Sequence, residues 1–267
     1  MKISLPNYRF CFPVLLAMAL SACVGKPPST IHVMSSGGFT AAYKVLGPMF
    51  EKETGIRLVT AYGASGGGAP DSIPERLKRG EYADVVILSQ RGLGNITKAG
   101  HVEPASHVDL ARSGIGMAVL AGAAQPDIST TKAFITAMRD AASIGYSASA
   151  SGTYLSKNLF PKLGIWDEIR GKSTRVISER VGAVVARGDV EIGFQQISEI
   201  LPIAGIDYVG PLPKAIQKIT IFSTGLTRGG NKMLGQQLID YLSAADKIEL
   251  IGATGLDAVA KDLVENR

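Results

Sequence analysis

Two spacings of apolar residues alternate along this chain: short continuous runs, and runs in which apolar positions fall three and four apart. The opening unit contains both. Residues 31–34 (IHVM) are a short apolar run, which predicts a strand ending in Ser35-Ser36-Gly37-Gly38. Phe39, Ala42, Val45, Leu46, Met49 and Phe50 follow at the spacing of one buried helix face. Gly55 ends that helix and residues 56–62 return as a strand, giving a β-α-β unit. A glycine-rich loop over 63–71 leads to a short helix capped by Asp71 or Ser72 and running to Arg79. Residues 83–88 (ADVVIL) are then a third strand, with Ser89 at its carboxyl end.

The alternation continues to the end of the chain. Residues 114–120 predict the first strand of another lobe, followed by a helix from about Lys132 to Ala142 and a strand over Ile144–Ser147. A Ser/Gly turn over 148–154 opens a helix with Leu155, Leu159 and Phe160 on one face. Strands over 175–178 and 191–196 flank a helix over Val181–Ala186, and residues 218–227 return to the first lobe. Helices over 231–244 and 246–252 and a frayed tail complete it. Strands alternating with helices predict an α/β chain with mostly parallel sheets. The expected division is lobe 1 from 31–113 and 222–267, and lobe 2 from 116–220.

The N-terminus reads differently. Lys2 and Arg9 precede an apolar run over 10–22, too short to span a bilayer, and Leu20-Ser21-Ala22-Cys23 resembles a bacterial lipobox. The expectation is a signal peptide over 1–22, lipid on Cys23 and a tether over 23–30. The membrane is then reached through that lipid only, and the protein resides in the periplasm or cell envelope. Removing 1–22 leaves 26 basic residues from the chain's 28 against 23 acidic ones, a net charge of +3. This mildly basic chain has no Lys/Arg cluster of the kind that binds nucleic acid. Of the two cysteines, Cys11 leaves with the signal and Cys23 carries lipid, so no disulfide is expected.

The candidate chemistry lies where strands meet helices. A Ser/Gly turn at a helix start presents free N–H groups and the positive end of the helix dipole, which suits an anion, although a plain tight turn also uses glycines. Ser35, Ser36, Gly37 and Gly38 form one such turn, and Ser151, Gly152 and Thr153 a second. Ser65, Gly66, Ser89 and Ser178 lie at other strand ends, where open α/β sheets gather ligands. Gln195 and Gln196 close an otherwise apolar strand, as site residues or as solvated amides of an edge strand. The glycine loop lacks the Gly-Lys-Ser/Thr ending of a P-loop. His32, His101 and His107 are not at metal-ligand spacing, and no metal or cofactor is expected. Ser129-Thr130-Thr131-Lys132 matches Ser-x-x-Lys without its companion motifs and reads as a helix start.

From about residue 31 to 255 the chain resembles the molybdate-binding periplasmic proteins, two-lobed clamshells of the type II periplasmic-binding fold. The resemblance rests on the opening strand-Ser/Gly-helix, ADVVILS, LGIWDEI over 163–169 and GDVEIGF over 188–194. It implies ligand contacts at Ser65 and Ser151. The family's first-turn serine falls near Gly38 and its oxyanion-binding tyrosine near Gln196, departures that argue against molybdate. SSGG, YSASASGTYL, VGAVVARG and IGFQQISE are similar to a subgroup that includes bacterial aconitate isomerase.

Two functions follow. The first is an extracytoplasmic solute-binding protein that captures a di- or tricarboxylate or an oxyanion between its lobes, with an ABC permease as partner. The alternative is an isomerase that moves a proton across an allylic tricarboxylate, which requires one base. Tyr43, Tyr154, Arg180 and Glu199 are the titratable residues nearest the candidate loops.

Overall fold

The computed structural model describes residue 1, residues 29–66 and residues 68–259. The expected signal peptide, Cys23, Gly67 and the tail beyond 259 lie outside the described residues. Four strands come first: β1 (Thr30–Ser36), β2 (Arg57–Gly63), β3 (Val85–Ser89) and β4 (Val108–Ser113). Five belong to a second sheet: β5 (Ile115–Leu120), β6 (Ile144–Ser147), β7 (Ser173–Val176), β8 (Ile192–Gln196) and β9 (Ile206–Pro211). The chain then returns through β10 (Thr220–Leu226) and β11 (Asp257–Ala258). The first sheet has the order β11-β4-β10-β3-β1-β2 and the second β7-β6-β8-β5-β9.

The α/β clamshell is present, and its sheets are partly parallel. β1 runs parallel to β2 and β3, and β6 runs parallel to β7 and β8. The strands next to the crossings between lobes, β5 and β10, pair antiparallel with all their neighbours. Entry into and exit from the second lobe reverse the chain direction there, which limits the parallel share.

Period-two alternation lets each sheet bury both faces. On β3, Val85 and Ile87 join the core of α1 (Gly37–Thr54), while Val86 and Leu88 join a second core on the opposite face. That second core includes Ile73 and Leu77 of α2 (Ile73–Lys78) and Leu93 and Ile96 of α3 (Gln90–Lys98). In the other lobe Phe134, on α4 (Thr131–Asp140), packs within 6.5 Å of Phe160 and 5.9 Å of Phe194, while Val176, Val181, Val184 and Val185 fill the opposite face.

On α1 the buried stripe is Phe39, Ala42, Tyr43, Leu46 and Phe50, whereas Val45, expected on it, is exposed. Gly55 ends the helix with φ 70°, its N–H donating to the Glu51 carbonyl at 2.9 Å. Elements not foreseen include α3, β4, β9, β11 and the short helices Trp166–Ile169 and Ile197–Ile200. Helix α3 forms despite Gly92 and Gly94, because Ser89 accepts from Gly92 N–H at 3.3 Å and Leu93 and Ile96 are buried. β4 interrupts its apolar run with Asp109 and Arg112, so its sequence lacks a clean strand signal.

The parallel registers fix where a site can lie. Ser36 pairs with Gly63 at the ends of β1 and β2, and Ser147 pairs with Val176 at the ends of β6 and β7. The carboxyl ends of both sheets therefore deliver their following loops to the space between the lobes. Two amides tie the crossings together there. Gln217 accepts from Ile115 N–H (2.8 Å) and donates to the Ile115 carbonyl (2.9 Å). Gln196, with its amide assigned in the orientation that satisfies both its ends, donates to the carbonyls of Ser113 (3.1 Å) and Gly114 (3.2 Å) and accepts from Thr220 Oγ1 (2.9 Å).

The opening turn is packed too closely for any side chain at Gly38, where an added Cβ would stand 1.9 Å from the Phe222 ring. Gly38→Ala is expected to cost about 1–3 kcal/mol by overpacking. A lowered thermal midpoint measures it, and an unchanged midpoint would show that the turn can open.

Candidate functional site

A cleft of about 330 Å³ lies between the two sheets. From lobe 1 it is lined by Gly37, Gly38, Thr40 and Lys44 of α1, by the 62–71 loop and by Phe222. From lobe 2 come residues 148–151, the 176–180 loop, Gln195, Gln196 and Glu199. Apart from Phe222, inside β10, and Lys44, two turns along α1, these residues lie at or just beyond the carboxyl end of a strand or at the start of a helix. Two hydrogen bonds join the lobes across this space: Ser198 Oγ donates to the Gly38 carbonyl (2.8 Å) and Ser178 Oγ donates to Asp71 Oδ1 (2.9 Å).

The first turn of α1 is short of anionic partners. Its N-cap, Ser36, makes no side-chain capping bond, and no acidic residue lies in the turn. The buried Ser36 hydroxyl has no partner among the described residues. Glu199, on the helical turn Ile197–Ile200 of the other lobe, stands against this helix start. A Cβ on Gly37 would lie 1.9 Å from Glu199 Oε1, so only glycine lets the carboxyl approach.

Glu199 is 8 % exposed, and burial raises its pKa to about 7. The positive charge of Arg180, the side-chain amide of Gln195 and the backbone N–H of Gln196 oppose that rise. Gln195 is fixed for this role, because its Oε1 accepts from Val181 N–H (2.8 Å) and its NH₂ is left for Glu199. Arg180 is held by Nη1 donating to the Glu199 carbonyl (3.4 Å), and its charge also reaches Tyr62 across the cleft. A buried acid able to ionise near neutral pH, beside a cation and a helix N-terminus, can accept a proton from a bound molecule.

The candidate residues fall into three groups. Gly37, Gly38, Ser65, Ser151, Ser178, Arg180, Gln195, Gln196 and Glu199 line the cleft. Ser36, Gly66 and Gly152 adjoin lining residues in sequence, and Ser35 and Thr153 stand one residue farther off. Gly152 packs so closely that a Cβ would meet the Ser147 carbonyl at 1.7 Å. Ser89, Tyr43 and Tyr154 serve elsewhere. Ser89 caps α3, Tyr43 Oη bonds Thr60 Oγ1 (3.0 Å) with its pKa raised by burial, and Tyr154 Oη donates to the Ile216 carbonyl (3.1 Å). Some lining hydroxyls already have protein partners: Ser65 Oγ accepts from Ser89 N–H (2.9 Å), and Ser151 Oγ bonds Ser147 Oγ (3.0 Å). The sequence reading missed Lys44, Tyr62, Asp71 and Glu179. Lys44 was legible, lying seven residues after Gly37 and so two turns along the same helix face. Among the described residues no group of three or more His, Cys, Asp and Glu side chains could hold a metal ion.

Comparison with known proteins matches residues 31–257 to the family model of bacterial extracellular solute-binding proteins. The chain is 39% identical over 257 residues to an aconitate isomerase from a Pseudomonas species, covering 93% of this chain and 98% of the relative. It is 25% identical over 268 residues to the molybdate-binding protein ModA of Azotobacter vinelandii, covering 91% and 95% respectively. Among solved structures, the periplasmic molybdate-binding protein of Azotobacter vinelandii superposes with a TM-score of 0.68 at 18% identity. That match covers 85% of this chain and 98% of the other.

The electrostatics of Glu199 bear on stability. The folded protein holds this proton to a pH of about 7, whereas the unfolded chain releases it near 4.5. Its stabilising contribution is therefore complete below about pH 4.5 and is lost progressively as pH rises to about 7. The loss is on the order of 3 kcal/mol for a shift from 4.5 to about 7. Glu199→Gln should remove this slope, being more stable than wild type in denaturant titrations at pH 8 and similar at pH 4.5. Parallel pH profiles for the two proteins would contradict the buried-acid assignment.

Proposed function

This chain belongs to the bacterial extracellular solute-binding proteins, and we propose that within that family it is an isomerase that interconverts trans- and cis-aconitate in the cleft between its lobes. The observation that carries this reading is Glu199, a buried carboxyl whose pKa of about 7 lies in the range of a general base. Once ionised, the same group would repel a captured anion, whereas proton transfer requires it. The aconitate isomerase relative, 39% identical along nearly its whole length, supports the same choice.

The chemistry needs one base and a place for negative charge. Glu199 removes a proton from the methylene carbon of trans-aconitate. The electron pair spreads over the three allylic carbons and into the adjoining carboxylates. The same proton, or one from water, is then added at the former vinylic carbon, so the double bond moves by one position and forms with cis geometry. No external oxidant or reductant is consumed. Arg180, Lys44 and the N–H groups of the α1 first turn hold the carboxylates and the charge that develops on them. Ionised Glu199 repels a polyanion, which the two cations and the helix dipole offset.

A second reading keeps the cleft and drops the base: capture of a small carboxylate or oxyanion and delivery to an ABC permease. The relatives named for molybdate binding favour it. In either reading residues 1–22 are a signal peptide and Cys23 carries the lipid anchor.

Purified protein mixed with trans-aconitate should form cis-aconitate, followed by chromatography. Glu199→Gln should lose at least about a hundredfold in turnover, the scale of a general base. The same variant should bind trans-aconitate as tightly as wild type or more tightly, because a negative charge has left the cleft. Below about pH 7 the free enzyme's kcat/KM should fall tenfold per pH unit as Glu199 takes up its proton. Tight binding by wild type with no cis-aconitate formed would leave the capture reading standing. For the anchor, Cys23→Ser should abolish metabolic labelling with a fatty acid, and labelling that persists would contradict a lipid at this residue.

A further inference from the structure

Asp71 is the charged group of the cleft that this chemistry does not use. Lys44 and Arg180 suit an anion, Glu199 is the base, and Glu179 is drawn aside by Arg187, whose Nη1 donates to Glu179 Oε2 at 3.0 Å. Asp71 stands in no ion pair among the described residues. The charge of Arg76 reaches it, but that guanidinium is engaged by Glu81 (Nε to Oε2, 2.8 Å) and by the Tyr62 carbonyl (3.3 Å). What holds Asp71 is Ser178 of the other lobe, donating to Oδ1 at 2.9 Å. Ser178 makes this bond from φ 61°, a left-handed backbone conformation that costs a serine free energy. A strained residue therefore meets an unpaired carboxylate across a cleft whose other features attract carboxylates.

We propose that Asp71 is a specificity-determining residue: held on Ser178 across the cleft, its carboxylate excludes a further ligand carboxylate, so the cleft accepts a tricarboxylate and rejects a tetracarboxylate. This rests on the reading that the cleft takes polycarboxylates. A fourth ligand carboxylate roughly 6–10 Å from Asp71, at an effective dielectric of about 20, would weaken binding by about ten- to a hundredfold.

Calorimetry at pH 8 with trans-aconitate and with butane-1,2,3,4-tetracarboxylate tests the proposal. Wild type should prefer trans-aconitate by about ten- to a hundredfold. Asp71→Asn keeps an oxygen to accept from Ser178 and removes the charge, and it should reduce that preference by about tenfold or more. Ser178→Ala keeps the charge and removes the bond; it should weaken both ligands by a similar factor and retain the preference. An Asp71→Asn protein with the wild-type preference would overturn the proposal. So would a Ser178→Ala protein that loses the preference as fully as Asp71→Asn, or a wild type that binds both ligands equally. Wild type that binds neither ligand would instead remove the carboxylate reading itself.

Discussion

A carboxyl group taken out of water must keep its proton or be met by cations and hydrogen-bond donors. Glu199 is in that position, and much of the cleft answers to it. A side chain at Gly37 would have to displace the Glu199 carboxyl. Gln195 is turned by Val181 N–H so that its amide faces the carboxyl. Arg180 lies close enough to oppose its neutralisation. Glu199 belongs to one lobe and the helix start to the other, so the interaction exists only where the two sheets face each other.

Capture and the proposed proton transfer make different demands on the cleft. Oxyanion capture calls for donors that are satisfied by the ligand and for no proton acceptor. Here Ser65 Oγ accepts from Ser89 N–H and keeps its own proton to donate, while the Ser151 hydroxyl is already bonded to that of Ser147. Gln196, at the position expected to bind ligand, is tied to the crossing at Ser113 and Gly114 and to Thr220. The cleft then offers charged groups, helix-start N–H donors and the Ser65 hydroxyl, a set suited to carboxylates.

Much of this was legible in the sequence where local pattern and tertiary structure agree. The 31–63 unit was readable because a four-residue apolar run, a Ser/Gly turn and a helical stripe occur in succession, and Val181–Ala186 because its small apolar residues end at Gly188. Helix α3 was hidden by its two glycines, and β9 by a half-buried sequence ending in proline. At the site, Glu199 and Arg180 could be named only as two of four titratable candidates. Tyr43 and Tyr154 lie just as near the loops in sequence, and burial and bonding alone set them aside. Asp71 read as a helix cap, since its partner Ser178 is 107 residues away and reaches it only through folding.

The central claim, that Glu199 faces the reacting carbon of a bound tricarboxylate, is tested most directly by a crystal structure of Glu199→Gln soaked with trans-aconitate. The account predicts the ligand in the interlobe cleft. Its methylene carbon should lie within about 3.5 Å of the position-199 amide, the reach of a near-attack arrangement, with carboxylates on Arg180, Lys44 and the first turn of α1. A ligand bound elsewhere, or one seated in the cleft with its methylene turned away from residue 199, would contradict it.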